Sequence, residues 1–241
     1  MEAPAYWGVA GYPISHSLTP RLFSIVGDAM GLVQPEQIFV EASSEGEFCS
    51  KVGMLDGDLW ISCTAPLKHS LHSRLGVQGP VGVNAINQLM RSNGVWKGAS
   101  TDGAGFVSAC RHIGVEPSGS ILRMRGGGSA ARSIAAAWSL EGGCIIPEMG
   151  RRKLERGPWD SSILGSGNAD ISIDLDSAPA GGQSVELGSD IQVSISYNES
   201  SCKEDFAIIM LAAQHLEAWH SLFASKDQKN IPSLEDVLAH L

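Results

Sequence analysis

Basic charge is scarce in this chain of 241 residues: 17 Lys and Arg stand against 26 Asp and Glu, a net charge of −9. That balance excludes nucleic-acid or anionic-membrane binding through bulk charge, so an anionic ligand must be held by local groups. The five cysteines (Cys49, Cys63, Cys110, Cys144 and Cys202) are odd in number, widely spaced and without a Cys-x-x-Cys pair. This argues against a disulfide framework and for reduced thiols. No apolar run approaches the ~20 residues that cross a bilayer. The N-terminus, with Glu2 and Pro4, has no basic segment leading into an apolar one, so no leader is expected and the cytoplasm is the expected location. There is no internal repeat and no low-complexity tract. His69 and His72 have no cysteine or carboxylate ligands clustered beside them, and no metal is expected.

What is present is ordinary globular composition, 43% hydrophobic and 18% charged, with a mean hydropathy of +0.02. The length suffices for one large or two smaller cores. Short β-like runs alternate with helical stretches: strands at Tyr6–Ala10, Gln37–Ala42 and Asp58–Cys63, helices at Pro20–Met30 and around Glu45–Leu55. Thr19 is placed to cap the first helix, with Pro20 at its first position. Ala85–Arg91 and Gly94–Lys97 read as a hairpin around Ser92-Asn93. A helix is predicted from near Gly103. A second α/β unit opens with a strand over Ser120–Arg125, the turn Gly126-Gly127-Gly128-Ser129-Ala130-Ala131-Arg132, an alanine-rich helix to about Leu140, and a strand at Gly143–Glu148. Later strands are predicted at Asp170–Asp174 and Ile191–Ser196, with a small-residue loop at Ser177–Gln183 between them. Asp205–Phe223 has a helical apolar period, and Ser233 with Asp236 forms a capping box. This alternation predicts an α/β fold with largely parallel sheets.

Four marked segments carry the chemistry. In Gly11-Tyr12-Pro13-Ile14-Ser15-His16-Ser17-Leu18-Thr19-Pro20, the hydroxyls of Ser17 and Thr19 stand at a helix start, where free N–H groups and the helix dipole suit a carboxylate. Alone, Ser-x-Thr-Pro is more often a simple cap, and a lone histidine such as His16 is more often packed than catalytic. In Thr64-Ala65-Pro66-Leu67-Lys68, the lysine follows a strand and a proline turn, at the carboxyl end of a sheet where α/β proteins bind ligands. A lone lysine is usually a solvated charge. Asp102, in Ser100-Thr101-Asp102-Gly103, supplies the carboxylate that favours its ammonium form against desolvation, and that ammonium can give a proton to a ketone oxygen. Asn84, in Gly82-Val83-Asn84-Ala85-Ile86, can donate to and accept from a sugar-like hydroxyl. The Gly126–Gly128 turn between strand and helix has the context of a dinucleotide loop. Arg151, Arg152 and Lys153 follow the next strand, where arginine accommodates a 2′-phosphate, although the charge pattern alone equally describes a solvated basic turn.

Together, and in this order over residues 8 to about 152, these segments resemble the shikimate dehydrogenase family. The string from Gly11 to Pro20 is similar to G-x-P-I-x-H-S-x-S-P, Thr64–Lys68 to T-x-P-x-K, and Thr101-Asp102-Gly103 to N-T-D-G without its asparagine. The resemblance implies an N-terminal α/β substrate-binding domain, residues 1–102, completed by C-terminal helices at 206–241, and a Rossmann-like domain at 103–205. It implies reversible NADPH-dependent reduction of 3-dehydroshikimate to shikimate, in aromatic amino acid biosynthesis, by a monomer or homodimer that binds neither nucleic acid nor membrane. Lys68 and Asp102 take the catalytic places. Ser17, Thr19, Thr64, Asn84, Tyr197 and Gln214 take those of the substrate, and Gly126, Gly127, Gly128, Ser129, Ala130, Arg151 and Arg152 those of NADP.

Departures concentrate in the nucleotide half. Ser129 stands where a third glycine is common, Arg123 and Arg125 lie in a strand that is usually apolar, and N-R-T appears as Gly150-Arg151-Arg152. The motif N-A-T-x-x-G-M is not recognisable around Asp174–Gly182. In the substrate half, Ser62 stands where the family often has asparagine. The alternatives that follow are a quinate/shikimate dehydrogenase using NAD, and a noncatalytic shikimate-binding paralogue.

Overall fold

The structure, a computed structural model, describes residues 2–177, 183–198 and 200–241. It divides into two compact units. Unit 1 comprises Met1–Pro80, Asn84–Thr101 and His215–Leu241, and unit 2 comprises Val81–Val83 and Asp102–Gln214.

Unit 1 is built on a five-stranded sheet in the order β2-β1-β3-β4-β5. Its strands are β1 (Tyr6–Gly11), β2 (Glu36–Glu41), β3 (Leu59–Cys63), β4 (Gln88–Ser92) and β5 (Val95–Ala99). β1 pairs in parallel with both β2 and β3, while β4 and β5 run antiparallel. The central strands β1 and β3 are buried almost throughout, which explains their near-continuous apolar runs Tyr-Trp-Gly-Val-Ala and Leu-Trp-Ile. Alternation sends Trp7 and Trp60 to one face and Ala10, Leu59 and Ile61 to the other. The second face packs on Phe48 of α2 (Glu45–Val52), Leu67, and Leu71 of α3 (Leu71–Arg74). The first is sealed by Phe23 of α1 (Thr19–Ala29) together with Trp219 and Phe223. The Trp7–Phe23 ring centroids lie 5.5 Å apart and the Trp60–Phe223 centroids 5.1 Å apart.

The hairpin turn falls at Asn93-Gly94, one residue later than predicted, and β4 starts at Gln88 rather than Ala85. Asn93 (φ +50°) and Gly94 (φ +76°) both adopt the left-handed conformation that a two-residue turn between twisted strands demands. Asp58 fastens it, accepting from Ser92 Oγ at 2.9 Å and Asn93 N at 2.8 Å. Thr19 is not the cap of α1. Leu18 holds that position with helical backbone and no side-chain cap, and Thr19 is already helical. The predicted capping box opens α7 (Leu234–His240): Ser233 Oγ accepts from Asp236 N at 3.1 Å and Ser233 N donates to Asp236 at 3.2 Å.

Unit 2 has a parallel four-stranded sheet in the order β7-β6-β8-β9. Its strands are β6 (Ile121–Arg125), β7 (Cys144–Glu148), β8 (Ile171–Asp174) and β9 (Ile191–Val193), the last shorter than predicted. Helix α5 (Ser129–Leu140) joins β6 to β7 and packs beside α4 (Asp102–His112). The crossover from β7 to β8 holds only a 3-10 turn, Asp160–Ser162, in place of a helix. Arg123 and Arg125 face that side, as the bond from Arg123 Nη2 to Gly167 O at 2.8 Å shows, so the strand tolerates charge there. Of the predicted loop at 177–183, residues 178–182 lie outside the described residues, as does that part of the stretch where the N-A-T-x-x-G-M motif was sought.

Helix α6 (Phe206–Ala218) is expected wholly in the C-terminal return, yet its residues up to Gln214 group with unit 2. Two glycines of α4 explain this. A Cβ on Gly105 would meet Gln214 N at 2.6 Å, and one on Gly103 would overlap the Ser133 carbonyl, so both helices approach α4 at backbone distance. The Phe106–Phe206 ring contact at 5.7 Å completes the seam. Gly105→Ala is expected to destabilise the protein by roughly 1–3 kcal/mol through overpacking; unchanged urea midpoint and slope would refute this seam.

Candidate functional site

Three of the four marked segments meet through residues of unit 1 at the carboxyl ends of β1 and β3, the third of them from Asn84 onward. Thr64 N donates to Ala10 O at 2.8 Å and Tyr12 N to Ala65 O at 3.0 Å, so the chain leaving each strand runs beside the other. Gly11, at φ +147°, has no room for a side chain, because a Cβ there would overlap the Thr64 methyl. Lys68 sits half-buried in a 3-10 turn, Leu67–His69, closed by Leu67 N to Thr64 O at 2.9 Å. Its carbonyl accepts from Ile86 N at 2.9 Å, which brings Asn84, exposed and at φ +48°, to the same end of the sheet.

The fourth segment is anchored by Asn87, which the sequence reading missed. Its side chain accepts from Thr101 N at 2.7 Å and donates to Thr101 Oγ1 at 3.0 Å, while its carbonyl accepts from Cys63 N at 2.7 Å. Asp102, buried and first in α4, follows Thr101 by one peptide. The expected substrate residues thus divide: Ser17, Thr19, Thr64, Lys68 and Asn84 lie in unit 1, and Asp102, Tyr197 and Gln214 in unit 2. Tyr197 and Gln214 are half-buried.

Ser17 Oγ accepts from Thr19 N at 3.3 Å, whereas Thr19 is only 3% exposed and faces His215. His215 Nε2 lies 3.3 Å from Thr19 Oγ1 and 3.3 Å from Ser62 Oγ, and Ser62 donates to Gln88 Oε1 at 2.6 Å. Because the Ser62 proton is committed to Gln88, Nε2–H is the donor to Ser62 and to Thr19. Thr19 then accepts from inside the core, and its own O–H is left to donate. Nδ1 of His215 is buried without a hydrogen-bond partner, edge-on to Phe23 at 5.2 Å between centroids. Burial lowers the imidazole to a pKa of about 3. The sequence signal for this residue was a histidine next to Gln214 in an apolar helix. It pointed to no role, because Ser62 and Thr19 are remote in sequence.

In unit 2 the glycine turn has the geometry that close phosphate approach requires. Gly126 takes φ +108°, a Cβ on Gly127 would overlap the Lys153 carbonyl, and Gly128 faces open space. Helix α5 begins at Ser129 with no side-chain cap and no acid in its first turn, so its free N–H groups and positive dipole end suit an anion. Ser129 and Ala130 form that turn. Arg132 buttresses the loop by donating to Val83 O at 2.7 Å and Gly127 O at 3.3 Å; burial, then the nearby Arg152 charge, lowers its pKa. These features fit a dinucleotide phosphate.

Carboxylates that the sequence reading did not single out surround the arginines. Glu148, the last residue of β7, accepts from Arg123 at 3.3 Å. Asp174 is 1% exposed and accepts from Arg125 Nη1 at 3.1 Å. Its burial works against charge, but the Val185 and Asp176 N–H groups and Arg125 outweigh it and hold the carboxyl below its usual range. Asp176 accepts from the N–H of Arg151, and its carbonyl from Arg151 Nη2 at 3.1 Å. Arg152 and Lys153 are exposed. All five cysteines are free thiols. Among the described residues no His, Cys, Asp and Glu side chains gather as a metal set, and no helix is long and apolar enough to cross a membrane.

The His215 shift makes stability pH-dependent. With a folded pKa of about 3 against 6.5 unfolded, the imidazole is neutral in both states above pH 6.5. Stability falls below that pH as only the unfolded state takes up the proton. The expected loss is about 2 kcal/mol at pH 5. Urea titrations at pH 7 and pH 5 should show it for the parent chain and a smaller loss for His215→Gln; identical pH dependence would reject the assignment.

No family model matches the chain. It is 32% identical over 168 residues to the shikimate dehydrogenase (NADP(+)) of Xanthomonas campestris pv. campestris (strain 8004), covering 66% of this chain and 57% of that one. The chain thus spans about half the length of the curated relatives it matches. Among solved structures, it is similar to shikimate 5-dehydrogenase from Thermus thermophilus in complex with NADP(H) and shikimate. The TM-score is 0.73 at 18% identity, over 98% of this chain and 97% of that one. An Ael1 enzyme from Pseudomonas putida matches with a TM-score of 0.76 at 18% identity, over the same shares of the two chains. The structural matches bear out the α/β fold with a Rossmann-like parallel sheet, and the sequence match accords with the resemblance read from the motifs: over 168 residues the chain is similar to the shikimate dehydrogenases.

Proposed function

We propose that the chain catalyses the reversible, NADPH-dependent reduction of 3-dehydroshikimate to shikimate. The observation that carries this reading is the meeting of the Gly11–Pro20, Thr64–Lys68 and Gly82–Ile86 segments on the Lys68 turn. Ser17 and Thr19 hold the substrate carboxylate, with Thr19 donating because His215 supplies its inner hydrogen bond. Thr64, Asn84, Tyr197 and Gln214 read the ring hydroxyls, and Asp102 shares that task as the second catalytic residue. Lys68 gives its proton to the ketone oxygen in reduction and recovers it in oxidation. The nicotinamide supplies the hydride. Gly126–Gly128, Ser129 and Ala130 receive its pyrophosphate, and Arg151 and Arg152 its 2′-phosphate. The reaction belongs to the cytoplasm, where the thiols stay reduced, and the working unit is a monomer or homodimer.

One observation favours NAD as a second reading. Glu148 ends the strand after the glycine loop, where an acid commonly takes the ribose 2′-hydroxyl. Assays of shikimate and quinate oxidation with NADP and NAD separate the two. Lys68→Ala is expected to lower kcat by roughly 10²–10⁴-fold with a far smaller effect on KM. Near-normal turnover by this variant would reject the role.

A further inference from the structure

The carboxylate of Asp176 lies where the two loops of the nucleotide half come together. A Cβ on Gly126 would stand 3.1 Å from its Oδ1, and one on Gly150 would overlap its Oδ2 and stand 3.1 Å from Gly126 Cα. The carboxylate therefore fills the space left by two glycines, one after β6 and one after β7. Its partners are those a bound phosphate would use. The Arg151 N–H donates to it, Arg151 Nε lies 3.7 Å away and Arg125 Nη2 4.0 Å away. Its side chain is 9% exposed, whereas that of Arg151 is 77% exposed.

We propose that Asp176 is an internal counter-anion of the nucleotide site, standing where a phosphate of the cofactor must come and lowering affinity until it is displaced. The inference rests on the dinucleotide reading of the Gly126 loop and adds a residue that sets affinity there. Three features support it. The glycines at 126 and 150 exclude side chains from the spot and leave it to an anion. The N-terminus of α5 beside Gly128 carries no acid of its own, and Asp176 brings negative charge to this loop from the turn after β8. The guanidinium of Arg151, expected at a 2′-phosphate, has Nε 3.7 Å from the Asp176 carboxylate, while its Nη2 donates to the Asp176 main-chain carbonyl at 3.1 Å. A phosphate arriving there meets a like charge at short range, which opposes binding, and must take Arg151 from its present partner.

The test is calorimetric titration of the full chain with NADP, adenosine 2′,5′-bisphosphate and adenosine. Asp176→Asn keeps an oxygen acceptor for the Arg151 N–H and removes only the charge. Asp176→Ser is the second variant, and thermal unfolding of each is recorded beside binding. Both folded variants are expected to bind NADP and the bisphosphate ~10-fold more tightly or better, with adenosine unchanged. Affinity for the bisphosphate that is unchanged or weaker, or an equal gain for adenosine, overturns the counter-anion role while the parent's binding of NADP leaves the dinucleotide reading standing. If parent and variants alike give no heat with any phosphate-bearing ligand, both readings fall.

Discussion

The parallel pairing of β1 with β3 is the constraint on which the candidate site of unit 1 depends. Parallel neighbours end on the same edge, so chain segments about fifty residues apart leave the sheet side by side. The hydrogen bond from Thr64 N to Ala10 O extends the ladder by one step, and the missing side chain of Gly11 lets the loops touch. The turn carrying Lys68 is then closed from below by Thr64 and from beside by Ile86. The antiparallel return of β4 places Asn87 next to Cys63, and its amide grips Thr101. The Lys68 turn is thus held by main-chain bonds, and Thr101 by the side-chain amide of Asn87.

The same sheet makes a polar spine inside an aromatic core. Ser62 shares its face with Trp7 and Trp60, where a polar group is costly unless it is bonded. Gln88 and His215 satisfy it, and the neutral imidazole passes the polarity on to Thr19. The unpartnered Nδ1 is the cost of that arrangement. A buried acceptor of this kind commonly loses about 1–3 kcal/mol, and apolar burial in the core, where Phe23 stands edge-on to the imidazole, offsets the loss.

Unit 2 solves a different problem. A parallel strand is normally covered on both faces and apolar on both, yet β6 carries Arg123 and Arg125. With a loop instead of a helix in the next crossover, the arginines are paired with Glu148, Asp174 and Asp176. Such pairs contribute little net stability, but removing one partner strands the other. The arginines of β6, the helix-free crossover and the surrounding carboxylates thus belong to one arrangement.

Much of the architecture was legible in the sequence because its signals are local. Continuous apolar runs marked β1 and β3, Gly126-Gly127-Gly128 before an alanine-rich segment marked the start of α5, and Ser233 with Asp236 marked α7. The turn at Asn93-Gly94 was misplaced by one residue, since register depends on the Asp58 partner across the sheet. Thr19 looked like a cap because hydroxyls before proline commonly are, but its hydroxyl is drawn inward by His215, 196 positions away. By itself, the sequence determined the alternation of strands and helices, the glycine positions where backbones meet, and the residue types assembled around Lys68. Only tertiary structure decided that α6 divides between the units, that Asn87 holds Thr101 and His215 holds Thr19, and that Asp176 stands between two glycine loops. Those outcomes rest on hydrogen bonds and ion pairs between residues far apart in the chain, which no local pattern encodes.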